Sequence, residues 1–503
     1  MSRVEQWGIF ELSLSGPDAG NPFCDVQLAA RFTHADSRGD VTSALRSDGF
    51  YDSDGTYRVR FMPDRIGTWI YETESNVATL NGQRGEFECI APTEGNYGPV
   101  RVRDTWHFAY ADGTPFRPIG TTCYSWIHAS EEMQEETLVS LRESAFNKVR
   151  MLVLPARHSK ITCFPFEGDP EKGWDFSRFD PAYFCHVEKR VADLMRLGIE
   201  ADLILFHPYD EGAYGFDRME SEIDDRYVRY VVARLAAYRN VWWSMANEYD
   251  FLKEKTIDDW DRIFRIVQER DPYSRLRSIH NGGILYDVSK PWVTHASIQA
   301  GILVEEFGRA WILREAYRKP VIYDEICYEG CINRRWGHLT GEEMVHRFWQ
   351  ATVAGSYATH GESLHVQGLR SWVGVGGRLS GESWKRIAFL KRILDEGPSE
   401  GLEPIDRWWT TGVAGKRGEY YLIYLGKSEA REWRFKIPSS KTPLPDKATF
   451  AVDIIDTWNM TITTVPATFR PTTEGEYYFG CNGASVSLPG RPYMALRIRR
   501  IQL

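Results

Sequence analysis

From residue 1 to about 92, apolar and polar positions alternate in short runs: Trp7–Leu14, Asp25–Phe32, Tyr57–Pro63, Thr68–Thr73 and Gly85–Ile90. A period of two over runs of this length predicts half-buried strands, and their regular spacing predicts an antiparallel β-sandwich. The segment GTYRVRFMPDRIGTWIYETES holds two such runs around Pro63-Asp64-Arg65-Ile66-Gly67, whose residues favour a hairpin turn. From about Tyr97 the pattern changes. Residues 107–124 predict a short hairpin and one apolar strand, after which continuous apolar runs alternate with helical periodicity. Strands are expected at Phe146–Leu154, Glu200–His207, Val241–Ala246, Arg277–His280, Trp292–Ile298, Lys319–Asp324 and Gly355–His360. Helices are expected at Glu131–Ser144, Pro181–Leu197, Arg226–Tyr238, Ile257–Glu269, Val304–Tyr317, Glu342–Ala354 and Ser383–Leu394. Such alternation predicts an α/β fold, a (β/α)8 TIM barrel over residues 97–396. Gly397–Gly401 reads as a linker, and residues 402–503 return to strand pattern, predicting a second small antiparallel β-sandwich to match the one over 1–92.

Composition narrows the function classes. A chain of 503 residues with 43% hydrophobic and 14% aromatic content is globular, with core enough for several domains. The net charge of −9 argues against nucleic acid or an anionic membrane as partner and suits a neutral substrate. MSRVEQWGIFELSLSG lacks the apolar h-region of a signal peptide and no run approaches a membrane span, so a cytoplasmic protein is expected. The eight cysteines are scattered, as free thiols would be. Cys327 and Cys331 are four apart, but no second pair matches them, so neither metal nor other cofactor is expected.

The candidate chemistry lies where apolar strands end on polar groups. VWWSMANEYD ends a strand on Asn247-Glu248, and KPVIYDE ends another on Glu325. At the C-terminal face of a barrel, two carboxylates on separate strand ends are the equipment for glycosidic bond cleavage. Strand alternation would turn Asp324 away from the axis if Glu325 points inward, and Glu329 would lie out in the loop. His207-Pro208-Tyr209-Asp210 is a polar cluster after an apolar strand, placing His207, Tyr209 and Asp210 at the substrate. His360 and Glu362 would either bond sugar hydroxyls or tie the last strand to the first. Each carboxylate could instead cap a helix or pair with an arginine, and a non-catalytic carbohydrate-binding or scaffold protein is the alternative reading. A metal-dependent barrel hydrolase would need His-x-His on the first strand, where residues 118–128 offer only His128; no G-x-S-x-G follows a strand.

DGTPFRPIGTTCYSW, FNKVRMLVLP, HPYD, ANEYD, HGES and GGRLSGES together resemble the apiosidase-like TIM-barrel glycoside hydrolases of clan A. VEQWGIFELSLSGP, GNPFCDV and YRVRFMPD before the barrel, and IIDTWNMTI with LPGRPYMALRI after it, resemble the β-domains of unknown function that accompany such barrels. The resemblance covers nearly the whole chain. It implies that Glu248 is the acid/base, that Asn247 contacts the sugar 2-hydroxyl and that Glu325 is the nucleophile. By the same likeness Arg150 stands near the nucleophile, His207 ends the third strand and His295 takes the sixth-strand histidine position. Ser297 stands where related families carry a tyrosine, and Trp372 would be the platform under the −1 sugar. A retaining β-glycosidase is thereby implied, without a cofactor, and the expected cytoplasmic location together with this analogy favours exo action on a small oligosaccharide or glycoside. A homo-oligomer in which a flanking β-domain closes the neighbour's site is compatible with this reading.

Overall fold

Eight short strands, every neighbouring pair parallel, form the centre of the molecule in the computed structural model. The structure describes residues 1–503 except 36–43, 158, 160, 365–370, 406–411, 440–443, 446 and 503. The central strands are β1 (Ile119–Thr122), β2 (Lys148–Leu152), β3 (Glu200–Phe206), β4 (Val241–Ala246), β5 (Arg277–Ser278), β6 (Ala296–Gln299), β7 (Val321–Glu325) and β8 (Tyr357–His360). Their spatial order, β5-β4-β3-β2-β1-β8-β7-β6, returns on itself through a parallel bridge between His280 and Ser297. The fold is therefore mixed α/β with a parallel barrel at its heart, and the C-terminal strand ends share one face.

Helices α1 (Glu131–Glu143), α2 (Pro181–Arg196), α3 (Ser221–Leu235), α4 (Ile257–Arg270), α5 (Phe307–Tyr317), α6 (Gly341–Val353) and α7 (Ser383–Asp395) alternate with these strands. Local capping sets their starts: Ser130, Asp180 and Thr340 accept from first-turn backbone N–H groups, and Thr256 with Asp259 forms a capping box. The α3 helix begins at Ser221 rather than Arg226, because its first turn buries Asp224 against Lys255 Nζ at 2.6 Å. No helix joins β5 to β6 among the described residues; there Asp250 accepts from the backbone N–H groups of Gly282, Gly283 and Ile284 and organises the connection. The helix expected from Val304 is split into a 3-10 turn (Gly301–Glu305) and α5. A hairpin at Phe166–Asp169 and Gly173–Phe179, before α2, was outside the sequence expectations.

Beneath the N-terminal strand ends lies a three-stranded sheet (Val100–Arg103, His107–Tyr110, Pro115–Phe116) whose Phe108 and Phe116 pack on Trp242 and close the barrel floor. Residues 2–90 form a seven-stranded sheet that folds over, so that Phe10 stacks on Phe87 and Phe32 on Phe61 at 4.1 Å each. Two of its strands, Ser2–Glu5 and Leu45–Ser53, lie outside the sequence expectations, and Ser2–Glu5 pairs in parallel with Arg84–Ile90, where an antiparallel arrangement was expected. Residues 403–502 form an antiparallel six-stranded and an antiparallel three-stranded sheet with a core of their own, where Phe435 stacks on Phe469. Tyr478–Ser487 is one strand where two were expected. All eight cysteines are free, and no helix among the described residues is long and apolar enough to cross a membrane.

Inside the barrel Lys148 Nζ reaches Asp202 Oδ2 at 2.7 Å and Asp324 Oδ1 at 2.8 Å, with all three side chains at most 1% exposed. Removing one partner of a buried ion pair strands the other charge. Lys148→Met should therefore lower stability by about 3–5 kcal/mol, read as the urea midpoint at constant slope. A loss under about 1 kcal/mol would show that Arg150 alone balances both aspartates.

Candidate active site

Arg150, on β2 and fully buried, is the centre of the site. Its Nη2 donates to Asn247 Oδ1, its Nη1 donates to the Asp324 carbonyl at 3.3 Å, and Nη1 lies 3.7 Å from Glu325 Oε1. Burial pushes the Asp324 carboxyl up, but the Lys148 and Arg150 charges outweigh it and hold it well below the usual carboxylate range. Asp202 goes the other way: burial outweighs Lys148 and raises its carboxyl. Asp324 thus points into the barrel, which corrects the expectation that alternation would turn it away. The ladder between β6 and β7 shifts register after Ile298, with Gln299 facing Glu325, and this irregularity lets two successive residues, Asp324 and Glu325, address the axis.

The second carboxylate arrives by a different backbone device. Glu248 has φ 45° and ψ 52°, the left-handed region, so that consecutive Asn247 and Glu248 side chains both enter the cleft. Tyr209 O–H donates to Glu248 Oε2 at 2.9 Å, while Asn247 Nδ2 donates to the Tyr209 oxygen and to Glu325 Oε1 at 3.4 Å. One tyrosine and one amide therefore link both carboxylates. The Gln299 amide nitrogen, turned toward its three oxygen neighbours, donates to Glu248 Oε1 at 3.2 Å, Asn281 O at 2.8 Å and Gly282 O at 3.2 Å. Burial first and the Glu325 charge second raise the Glu248 carboxyl to about 7, against the Tyr209 and Gln299 hydrogen bonds.

Glu325 has a separate set of partners. Tyr124, just past β1, donates its O–H to Glu325 Oε1, and its ring lies 5.6 Å from that of Tyr209. His280 Nε2 lies 3.5 Å from Glu325 Oε1, and its Nδ1 is 3.1 Å from Ser297 Oγ, whose hydroxyl donates to Asp324 Oδ2 at 2.6 Å. The Ser297 proton goes to the charged, closer acceptor, so His280 carries its proton on Nδ1 and offers a lone pair at Nε2. Burial, then the Arg150 charge, lower the imidazole well below its ordinary range, so it stays neutral.

The sequence-predicted residues divide accordingly. Glu248, Glu325, Asn247, Arg150 and Tyr209 come together. His207 does not face the cleft: Nε2 bonds the Leu154 carbonyl at 2.9 Å, Nδ1 accepts from Tyr209 N–H at 3.1 Å, and the ring stacks on Tyr209. Asp210, completely buried, accepts from the backbone of Tyr214 and Phe216 and shapes the loop. His295 is at the wrong end of the barrel, packed edge-on against Phe108 and Trp242 on the floor, because it precedes β6. Trp372 is 2% exposed and donates its indole N–H to Thr121 Oγ1, so it backs β1 and offers the cleft no open face. Glu362 is buried with Glu329 and His360, the group among the described residues whose ligand atoms could hold a metal. Glu329, expected in the open loop, is 5% exposed. Tyr124, His280, Gln299 and Tyr328 escaped the sequence reading, although His280 closes the expected Arg277–His280 strand on a polar group as Glu248 and Glu325 close theirs.

The family model "Apiosidase-like, catalytic domain" matches residues 103–386, and two domains of unknown function, DUF5060 and DUF5605, match 3–76 and 408–499. A solved structure described as a candidate glycoside hydrolase from Bacteroides vulgatus ATCC 8482 is 42% identical over 100% of both chains, with TM-score 0.94. A glycoside hydrolase family 5 structure from the same organism is 14% identical over 81% of this chain and 93% of its own, TM-score 0.62, which is a likeness of fold. No curated protein sequence matches the chain.

The Tyr209 hydrogen bond favours the ionised form of Glu248, so its loss should favour the proton. In Tyr209→Phe the Glu248 titration, followed by carbon NMR on labelled glutamate with Glu248→Gln as the assignment control, should move upward from about 7 by roughly half a unit to one unit. An unchanged or lower midpoint would contradict the assigned bond.

Proposed function

The chain belongs to the apiosidase-like catalytic-domain family and is a glycoside hydrolase, and from that premise we propose a retaining, exo-acting β-glycosidase that uses Glu248 and Glu325 in double displacement. The observation that carries this reading is the unlike surroundings of two linked carboxylates. Glu248 is raised to about 7 and can hold a proton at neutral pH. Glu325 has the Arg150 guanidinium at 3.7 Å and hydrogen bonds from Tyr124 and Asn247, the surroundings of an anion.

In the first step Glu248 gives its proton to the glycosidic oxygen as Glu325 attacks the anomeric carbon. The bond to the leaving group breaks and a glycosyl ester forms on Glu325. Glu248, now a carboxylate, takes a proton from water, whose oxygen attacks the same carbon and releases Glu325. Such chemistry requires the carboxyl groups about 5–5.5 Å apart, and the Tyr209–Asn247 link favours that closeness. Asn247 meets the sugar 2-hydroxyl in this scheme. Tyr328 and Trp336, edge-on at 5.8 Å with Trp336 exposed, supply an apolar wall toward the leaving group. We take the flanks, 1–92 and 402–503, as β-sandwich domains that brace a catalytic barrel over 97–396.

Nitrophenyl α- and β-glycosides, pyranosyl and furanosyl, test the scheme. Wild type should release nitrophenol from one β-glycoside, and Glu325→Gln and Glu248→Gln should each lose at least about a hundredfold. Azide should restore turnover in Glu248→Gln and yield the β-glycosyl azide. Full activity in both variants, or no cleavage by wild type, would remove the two-glutamate scheme and leave a carbohydrate-binding protein as the better description.

A further inference from the structure

Behind the Glu325 wall, the segments that follow β7 and β8 run side by side: Glu329–Gly330 pairs in parallel with Glu362–Ser363, and Glu329 N–H donates to the Gly361 carbonyl at 3.1 Å. Here two carboxylates and one imidazole converge, with one ligand atom each from Glu329, His360 and Glu362 within 4.8 Å of one another. Their exposures are 5%, 0% and 1%, and no lysine or arginine among the described residues pairs with either carboxylate. Buried carboxylates without a cation are unusual, since buried charges are paired or bind metal.

The orphaned atoms point inward. His360 Nε2 and Glu362 Oε1 have no hydrogen-bond partner and face each other at 3.7 Å, too long for a hydrogen bond. The other oxygens are spoken for by the α7 N-terminus. Glu362 Oε2 accepts from Ser380 N–H at 2.9 Å, and Glu329 accepts from the backbone N–H groups of Glu382 at 2.7 Å and Ser383 at 3.0 Å, and from the Ser383 hydroxyl. Residue 381 must be glycine for this convergence: a Cβ there would lie 2.5 Å from Glu329 Oε2 and 2.8 Å from Glu362 Oε1.

The imidazole is held as a ligating histidine is held. Thr121 Oγ1 lies 3.1 Å from His360 Nδ1 and accepts the Trp372 indole N–H at 2.8 Å, while the Phe146 ring stacks on the imidazole at 4.7 Å. Thr121 Oγ1 has two lone pairs and room to accept both N–H groups; in that tautomer the Nε2 lone pair is free and the imidazole has the outer-shell support that metal-bound histidines carry.

We propose that Glu329, His360 and Glu362 bind one divalent cation of the zinc or manganese class, which clamps the segments after β7 and β8 together. One nitrogen and two carboxylate oxygens suit those ions. The role is structural, since the nucleophile candidate is reached only through the next residue along: the Tyr328 ring fits against Gly361, where a Cβ would lie 2.4 Å away, and its hydroxyl lies beside the Tyr124–Glu325 pair. This departs from the cofactor-free expectation drawn from sequence.

Full-length protein stripped with chelator and titrated with zinc or manganese chloride by calorimetry should bind one equivalent, and its thermal midpoint should rise. Glu362→Gln, which keeps shape and loses charge, and His360→Ala should each weaken binding at least about tenfold, with unchanged circular dichroism for Glu362→Gln. Absence of both binding and a midpoint shift in the wild type would overturn the proposal in favour of a carboxylate pair sharing a proton. Equal affinity in wild type and both variants would overturn it too, by placing the ion elsewhere.

Discussion

A guanidinium sealed inside a barrel has to be surrounded by acceptors, and that requirement on Arg150 organises the site. Stranding one buried charge costs about 3–5 kcal/mol, a large part of the roughly 5–15 kcal/mol that holds a domain folded. Asn247 Oδ1 and the Asp324 carbonyl accept from Arg150, and the Glu325 carboxylate faces it at 3.7 Å, groups delivered by the ends of β4 and β7. Their positions are thus fixed by the stability of the barrel before any substrate arrives. Asn247 cannot turn its oxygen elsewhere without leaving Arg150 short, so its nitrogen is aimed at Tyr209 and Glu325 by default. Preorganisation here is the by-product of satisfying one buried cation.

The same constraint separates the two carboxylates. Lys148 and Arg150 lie below: Lys148 pairs with Asp202 and Asp324, and Arg150 faces Asp324 and Glu325. Glu248 lies one residue beyond Asn247, past the reach of that charge, and feels Glu325 instead. Its left-handed backbone costs about 1–2 kcal/mol, offset by the Tyr209 and Gln299 hydrogen bonds that keep its carboxyl in the cleft. A glycine at 248 would relieve that strain and carry no acid. Backbone strain at this residue is therefore tied to its chemistry.

Sequence periodicity was sufficient for the barrel, because β2, β3, β4 and β7 are short, continuously buried runs rich in apolar residues, and each is followed or preceded by an amphipathic helix within a few residues. It was insufficient where few residues define a strand: β5 has two, and its role as His280 carrier depends on the closing bridge to Ser297, a tertiary fact. Glu248 and Glu325 were legible because each ends an apolar run. His295 misled because it lies before its strand and so faces the floor, whereas His280 lies after its strand and faces the mouth. Tyr124 takes the place beside Glu325 that Ser297 leaves without a phenol, a substitution across the barrel from β6 to β1 that no local pattern encodes. Asp324 and Glu325 both turn inward through a register shift, which alternation alone cannot foresee.

The flanking sheets belong to the same chain of dependence. Arg60 and Asp52 of the N-terminal sheet meet Glu188 of α2 and Arg234 of α3 in a largely buried network, with Arg60 to Glu188 at 2.7 Å and Arg234 to Asp52 at 2.8 Å. The α2 and α3 helices flank β3 and lead into β4, the strands that deliver Tyr209 and Glu248. On the other side, Tyr424 of the C-terminal sheets bonds His346 at 2.9 Å and stacks on Trp349, both in α6, and Trp458 lies under Arg386 of α7 at 4.0 Å. The α6 helix joins β7 to β8, and the α7 N-terminus holds Glu329 and Glu362. Each flank therefore braces the half of the barrel that carries one of the two carboxylates, through charges and rings that cannot be exposed without penalty. A substitution in either flank that unpairs its buried contact acts on helix position first and on the spacing of Glu248 and Glu325 second, which under the proposed two-glutamate scheme couples the flanks to the chemistry.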